Sequence, residues 1–225
     1  MFENYKADLT AVMEKDPAAR SKLEVHFTYG GFRALCAYRR AHWLYTHKMR
    51  FLAFLITSRT RRLHGIEIHP AAKIGKGIFI DHGVGVVIGE TTEIGDNVTI
   101  YQGVTLGGTG KDVGKRHPTI GNNVMICAGS KVLGPVVIGD NSKIGAGSVV
   151  LKDVPSHCTV VGVPGRIVRM HGEKYNDMDQ KLPDPVLEEF ARINKRLEDI
   201  ENSLNIHACR FSISQQNDLE DGEEE

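Results

Sequence analysis

The stretch IGNNVMICAGSKVLGPVVIGDNSKIGAGSVV (Ile120–Val150) places an aliphatic residue at every sixth position: Ile120, Ile126, Val132, Ile138, Ile144 and Val150. The same period runs upstream. It passes through Ile68, Ile74 and Ile80 and, after a two-residue excess, through Ile88, Ile94, Ile100 and Leu106; a longer excess separates Leu106 from Ile120. The position four later is mostly small or β-branched (Ala72, Val84, Thr92, Val98, Val104, Val124, Ser130, Val136, Ser142, Ser148), and glycine commonly follows the aliphatic residue. A period of six matches neither the 3.6 of a helix nor the 2 of a strand. It fits a solenoid in which each hexapeptide supplies one short strand and one turn, with the aliphatic side chain stacking inward on its counterpart in the next coil. Glycine, Asp96-Asn97 and Asp140-Asn141 suit the turns.

Outward from the repeat the composition changes on both sides. Nineteen of the 24 glycines fall within residues 68–171. Before His64, apolar residues recur at helical spacing: Phe32, Leu35 and Cys36, then Trp43, Leu44, Phe51, Leu52 and Leu55. Asp16-Pro17 reads as a helix start, with aspartate as N-cap and proline in the first turn. After Asp184, Val186, Phe190, Ile193, Leu197, Ile200 and Leu204 step by alternating fours and threes, the seam of a coiled coil or of an amphipathic helix docked on its own subunit. The expected class is therefore α+β. A helical region (1–64) leads into a left-handed parallel β-helix (65–171), followed by a C-terminal part (172–225) with a helix over about 184–206 and a disordered acidic tail.

Charge and composition exclude several classes. The chain has 225 residues and no net formal charge. The charge is unevenly spread, with a basic front and a strongly acidic end. No segment combines basic and aromatic residues densely enough for nucleic-acid binding. The longest wholly apolar run, Phe51 to Ile56, is far short of a membrane span. Cys36, Cys127, Cys158 and Cys209 show no framework spacing, as expected of reduced thiols in the cytosol.

Chemistry-bearing side chains gather where the period fails. Asp81-His82 sits at the first excess, and the second is the glycine-rich loop Gly107–Pro118, which ends in Arg116-His117. A loop thrown out of a rigid scaffold is a natural place for binding groups. The strings GIEIHPAAKIGKGIFIDHGVGVVIGET, VTLGGTGKDVGKRHP, KIGAGSVV and GVPGRIV resemble serine O-acetyltransferases, which make O-acetylserine from L-serine and acetyl-CoA on the way to cysteine. The resemblance runs from about Asp16 to Arg169. It implies His82 as the general base that takes the serine hydroxyl proton, oriented by a carboxylate at Glu67, where the long members of the family have aspartate. It further assigns Asp16 and Asp81 to the amino and hydroxyl end of serine, and Arg116 to its carboxylate with His117 beside it. Acetyl-CoA, the co-substrate, would lie along Gly108, Ala128, Gly129, Ala146 and Gly147, with Lys143 and Arg166 for its phosphates, and no metal is implied.

Such sites in this family lie between subunits of a homotrimer, so Asp16 and His117 need not come from the chain that supplies His82. With only about 65 residues before the repeat, a trimer is at least as well suited as a dimer of trimers. Family members that bind cysteine synthase do so through a terminal isoleucine; three closing glutamates argue against that complex here. Three other readings use the same residues. A γ-type carbonic anhydrase would hold zinc through histidines such as His64, His69, His82 and His117. An acetyltransferase could use another hydroxyl acceptor, such as homoserine or a sugar. Cys127 could carry the acetyl group in a ping-pong scheme.

Overall fold

The computed structural model describes residues 2–110, 113–174 and 192–200. Four helices come first: α1 (Phe2–Lys15), α2 (Lys22–Thr28), α3 (Gly30–Thr46) and α4 (Arg50–His64). Asp16-Pro17 does not open a helix. Asp16 N–H closes α1 onto the Val12 carbonyl, and its carboxylate accepts the Ala18 N–H at 2.8 Å in the following turn. The N-cap lies further on, at Ser21, whose hydroxyl accepts the Glu24 N–H.

From Glu67 the chain makes thirteen short strands that stack as a three-sided prism. The first face holds β1 (Glu67–Ile68), β4 (Val87–Ile88), β7 (Thr105–Gly107), β10 (Lys131–Leu133) and β13 (Val149–Val150), all parallel. The second holds β2 (Lys73–Ile74), β5 (Glu93–Ile94), β8 (Thr119–Ile120) and β11 (Val137–Ile138). The third holds β3 (Phe79–Ile80), β6 (Thr99–Ile100), β9 (Met125–Ile126) and β12 (Lys143–Ile144). It is extended by β14 (Cys158–Val161), parallel to β12, and then by the antiparallel β15 (Arg166–Met170) and β16 (Glu173–Lys174). Successive strands visit the three faces in turn, so each strand pairs with the third one after it. This is the left-handed β-helix the period of six predicts.

The interior follows the sequence rule with one shift of phase. Ile88, Ile100, Leu106, Ile120, Ile126, Ile138 and Ile144 are fully buried, and each contributes about 1.5–3 kcal/mol relative to exposure. Of the inward small positions, Ser130 Oγ lies 2.8 Å from both the Cys127 and Gly145 carbonyl oxygens, which share its one proton, and Ser142 donates to that of Pro155, which satisfies these buried hydroxyls. Thr92 differs: its hydroxyl has no partner among the described residues. Val84, expected inside, is exposed, and Val86 takes its place at full burial because the two extra residues fall between Ile80 and that position. At one corner Asn97, Asn123 and Asn141 all adopt left-handed backbone, which asparagine tolerates better than other non-glycine residues.

The helices are bonded to the first coil rather than merely laid on it. Arg39 and Asp8, both with buried side chains, pair at 2.9 Å. The guanidinium also donates to the Ile74 and Gly75 carbonyls, and Asp8 accepts the Ile78 N–H. Burial holds the Asp8 carboxyl above its usual range against the pull of Arg39. Tyr38 donates to the Ala72 carbonyl at 2.6 Å, His42 to that of Pro70 at 2.8 Å, and Lys15 to that of Asn97 at 2.9 Å. Gly31 of α3 lies so close to the Ile80 carbonyl that a Cβ there would collide with it. Replacing Arg39 with alanine leaves Asp8 buried without its cation, so urea unfolding should show a loss of about 3–5 kcal/mol. A loss near zero would mean the pair does not hold the helices down.

Residues 192–200 form a further helix, α5, on which Ile193, Leu197 and Ile200 are exposed. Val186, Phe190, Leu204 and the acidic tail lie outside the described residues. Among the described residues no helix is long and apolar enough to cross a membrane.

Candidate active site

The two interruptions of the repeat fall at the two long edges of the first face. Asp81-His82 lies between β3 and β4, where the chain enters that face. His82 has left-handed backbone (φ 56°) and an exposed ring, with Nε2 3.9 Å from the Asp81 carboxylate. Below it on the same edge, Tyr101 and Cys127 follow in successive coils, through Asp81 N–H to the Ile100 carbonyl and Tyr101 N–H to that of Ile126. The turns beside them carry Ala128-Gly129 and Ala146-Gly147, joined by Gly147 N–H to the Ala128 carbonyl; both glycines have positive φ. This narrow, side-chain-poor track runs down the prism from His82.

Tyr29, between α2 and α3, brings Asp16 to the same edge. Its hydroxyl is pushed up to about 12 by loss of solvent, by a hydrogen bond to Asp16 and by the charges of Asp16, Glu24 and Asp81. Asp16 and Asp81 therefore face one phenol of the same subunit. Tyr101 is raised as well, by burial first and then by Asp81. Burial raises the Cys127 thiol, against the pull of Lys143, which keeps it from the thiolate form a nucleophile needs. Lys143 lies on β12 of the third face and Arg166 opens β15.

The other edge of the first face, where the chain leaves it, gathers a second group. Arg116 Nη2 is 2.8 Å from the Glu90 carboxylate. His117 is buried, and its ring covers Gly89 so closely that a Cβ there would overlap it; a Cβ on Gly108 would lie 3.3 Å from His117 Nε2. Thr91 receives both residues: its hydroxyl lies 3.1 Å from the main-chain nitrogens of Arg116 and His117 and 2.9 Å from His117 Nδ1. The Lys115 ammonium donates to the Thr91 carbonyl at 2.7 Å. His69 stands nearby, edge-on to Tyr45 and Phe54. Burial lowers the pKa of both His69 and His117, and Arg116 adds to the effect on each. Both rings are thereby held towards the neutral form.

The thirteen residues singled out in the sequence thus divide. Lys143 and Arg166 lie on the third face and its extension, Asp16, Asp81, His82, Ala128, Gly129, Ala146 and Gly147 share the entering edge, and Arg116, His117 and Gly108 the leaving edge. Glu67 stands on β1 between them, its carboxylate 3.2 Å from Arg61 rather than on His82. The hexapeptide that spans the face, centred on the two-residue β4, separates the edges, a distance on the order of 20 Å for a fully extended chain. The four histidines of the zinc reading are dispersed: His82 lies on one edge, His69 and His117 on the other, and His64 ends α4 near Arg33. Among the described residues no three His, Cys, Asp or Glu side chains are grouped to hold a metal ion. Tyr29, Tyr101, Glu90 and Thr91 join the thirteen; Glu90 and Thr91 close the first of the family-like strings without a role assigned to them, and Tyr29 and Tyr101 lie outside all four strings.

Comparison with known proteins is consistent across three kinds of likeness. The family described as bacterial transferase hexapeptide (six repeats) matches residues 117–152. The serine acetyltransferase of Bacillus pumilus is 55% identical over 205 residues, covering 90% of this chain and 94% of that protein. That of Synechococcus elongatus is 53% identical, covering 91% and 84%. Among solved structures, the Neisseria gonorrhoeae serine acetyltransferase in complex with serine superposes with a TM-score of 0.73 at 45% identity, over 75% of this chain and 69% of that one. The Brucella abortus serine acetyltransferase in complex with coenzyme A gives 0.74 at 46%, over 75% and 68%.

Proposed function

Starting from the chain's membership of the serine acetyltransferase family, we propose that its two edge clusters are halves of one site, completed by a neighbouring subunit. The activity is transfer of acetyl from acetyl-CoA to L-serine. The observation that carries the two-subunit reading is the separation of His82 from Arg116 across the first face. A molecule the size of serine cannot touch both within one chain. In a cytosolic homotrimer whose axis runs alongside the prisms, the leaving edge of one subunit meets the entering edge of the next. The product would be O-acetyl-L-serine for cysteine synthesis.

In that site Asp16 and Asp81 hold the serine ammonium and hydroxyl end, and Arg116 with His117 holds the carboxylate. His82 takes the hydroxyl proton as the serine oxygen attacks the thioester carbonyl. The tetrahedral adduct then collapses, the carbon–sulfur bond breaks, and the thiolate leaves with the proton that His82 carried. Glu67 lies nearer the leaving edge, where it contributes to the field at His69. It therefore reaches His82 across the subunit boundary, exchanging Arg61 for the imidazole. The pantetheine arm lies along Ala128-Gly129 and Ala146-Gly147, where any larger side chain would fill the track, with Lys143 and Arg166 for the phosphates. Cys127, kept protonated, has no part in the transfer. Thiol release from acetyl-CoA should depend on L-serine and be slower by at least about tenfold with homoserine or a sugar, the margin a fitted polar site gives. Preference for either of those would replace serine as the acceptor.

A further inference from the structure

Thr91 stands in the turn between β4 and β5, inside the short run Glu90-Thr91-Thr92-Glu93. Its hydroxyl has one proton to give and two lone pairs to receive with. The main-chain N–H groups of Arg116 and His117, each at 3.1 Å, can only donate, so they occupy both lone pairs. The single hydroxyl proton is left for the third neighbour, His117 Nδ1 at 2.9 Å. The Thr91 main-chain N–H points at the same nitrogen from 3.2 Å. Two donors on Nδ1 leave no room for a proton there, so a neutral His117 carries its proton on Nε2. No protein acceptor for Nε2 is found among the described residues.

We propose that Thr91 is a positioning residue for serine binding: its hydroxyl fixes His117 as an Nε2–H donor and ties the end of the Gly107–Pro118 loop, and with it Arg116, to the β-helix. The inference rests on the reading that Arg116 and His117 receive the serine carboxylate. An N–H donor beside a guanidinium is the set a carboxylate requires, whereas an imidazole lone pair at Nε2 would repel it. The surroundings agree. Arg116, Lys115 and His69 disfavour a charged His117, Glu90 opposes them, and burial acts with the majority. Gly89 gives the ring its seat.

The test uses the full-length chain and variants at Thr91, Arg116 and His117. Thr91→Val keeps the shape and removes the hydroxyl, stranding two main-chain donors. The serine KM should rise about 10–100-fold, the effect of leaving such groups unpaired. The acetyl-CoA KM should stay within about threefold, and Thr91→Ser should restore serine binding. In ¹⁵N-histidine-labelled protein, with His117→Gln identifying the signals, wild-type His117 should show a bare Nδ1 and a protonated Nε2. Its titration should move upward in Thr91→Val and return in Thr91→Ser, a shift that mere loop support would not produce. A proton on Nδ1 in the wild type overturns the proposal even if Thr91→Val fails to fold. So does a Thr91→Val enzyme with unchanged serine KM while Arg116→Ala raises it. If Arg116→Ala and His117→Ala both leave the serine KM alone, the substrate reading of this edge fails as well.

Discussion

Exchanging His82 for alanine should lower serine acetylation by about 10²–10⁴-fold, the usual contribution of a positioned general base. The loss should fall on kcat, because the proton moves only as the hydroxyl attacks, and the KM values for both substrates should change little. His82 also has left-handed backbone, a conformation that costs of order 1–3 kcal/mol in a non-glycine residue. Alanine bears that strain without the ring, so its effect could mix chemistry with a local shift of the chain. His82→Asn separates the two, since asparagine accepts the same backbone and supplies no base. Both variants should lose activity alike, with unfolding midpoints near wild type. A loss under about tenfold in His82→Asn would remove the imidazole from the chemical step.

The second large effect belongs to Arg116. Its removal should raise the serine KM by about 10–100-fold, matching the value of hydrogen bonds to a charged partner. A carboxylate held there, as proposed, does not change charge during acyl transfer, so kcat should move far less. Arg116→Lys should recover only part of the affinity, because an ammonium keeps the charge and loses the planar fork. Glu90 matters here: it holds the guanidinium at 2.8 Å in the free enzyme and fixes the direction in which it reaches. Steady-state kinetics with serine varied at saturating acetyl-CoA measure the effect directly. Equal falls in kcat and kcat/KM would instead place Arg116 in the transition state.

The sequence disclosed the prism and the places where it breaks, because both are matters of counting. A stack of coils needs the same residue type at the same interval, and any excess must leave the stack. Counting went wrong only where the excess itself fell, so Val84 was assigned the interior position that Val86 occupies. Asp16-Pro17 carried the composition of a helix start but follows α1, where the Asp16 carboxylate caps a turn through the Ala18 N–H and also meets Tyr29. Glu90 and Thr91 end a family-like string, but nothing in their local sequence tells what they hold. Their partners return 25 and 26 residues later, after a further coil and the Gly107–Pro118 loop, and a Glu-Thr-Thr-Glu run is ordinary surface composition until that loop closes on it. Resemblance to a family supplied the roles of Asp16, Glu67 and Arg116, which spacing alone would have left as a turn, a surface acid and a surface base.

The bonds between the helices and the first coil have a consequence beyond holding two parts together. A parallel prism ends in strands whose carbonyl and amide groups face outward with no coil beyond them, an open template on which another chain could add. Here Tyr38, Arg39, His42 and Asp8 meet Ala72, Ile74, Gly75, Pro70 and Ile78 at that rim, standing in for the strands of a missing coil. At the far rim the antiparallel β15 and β16 turn the ladder back on itself. Within residues 2–174 both rims of the prism are thereby occupied, so this part of the chain offers a second copy its sides rather than an unpaired ladder at its ends.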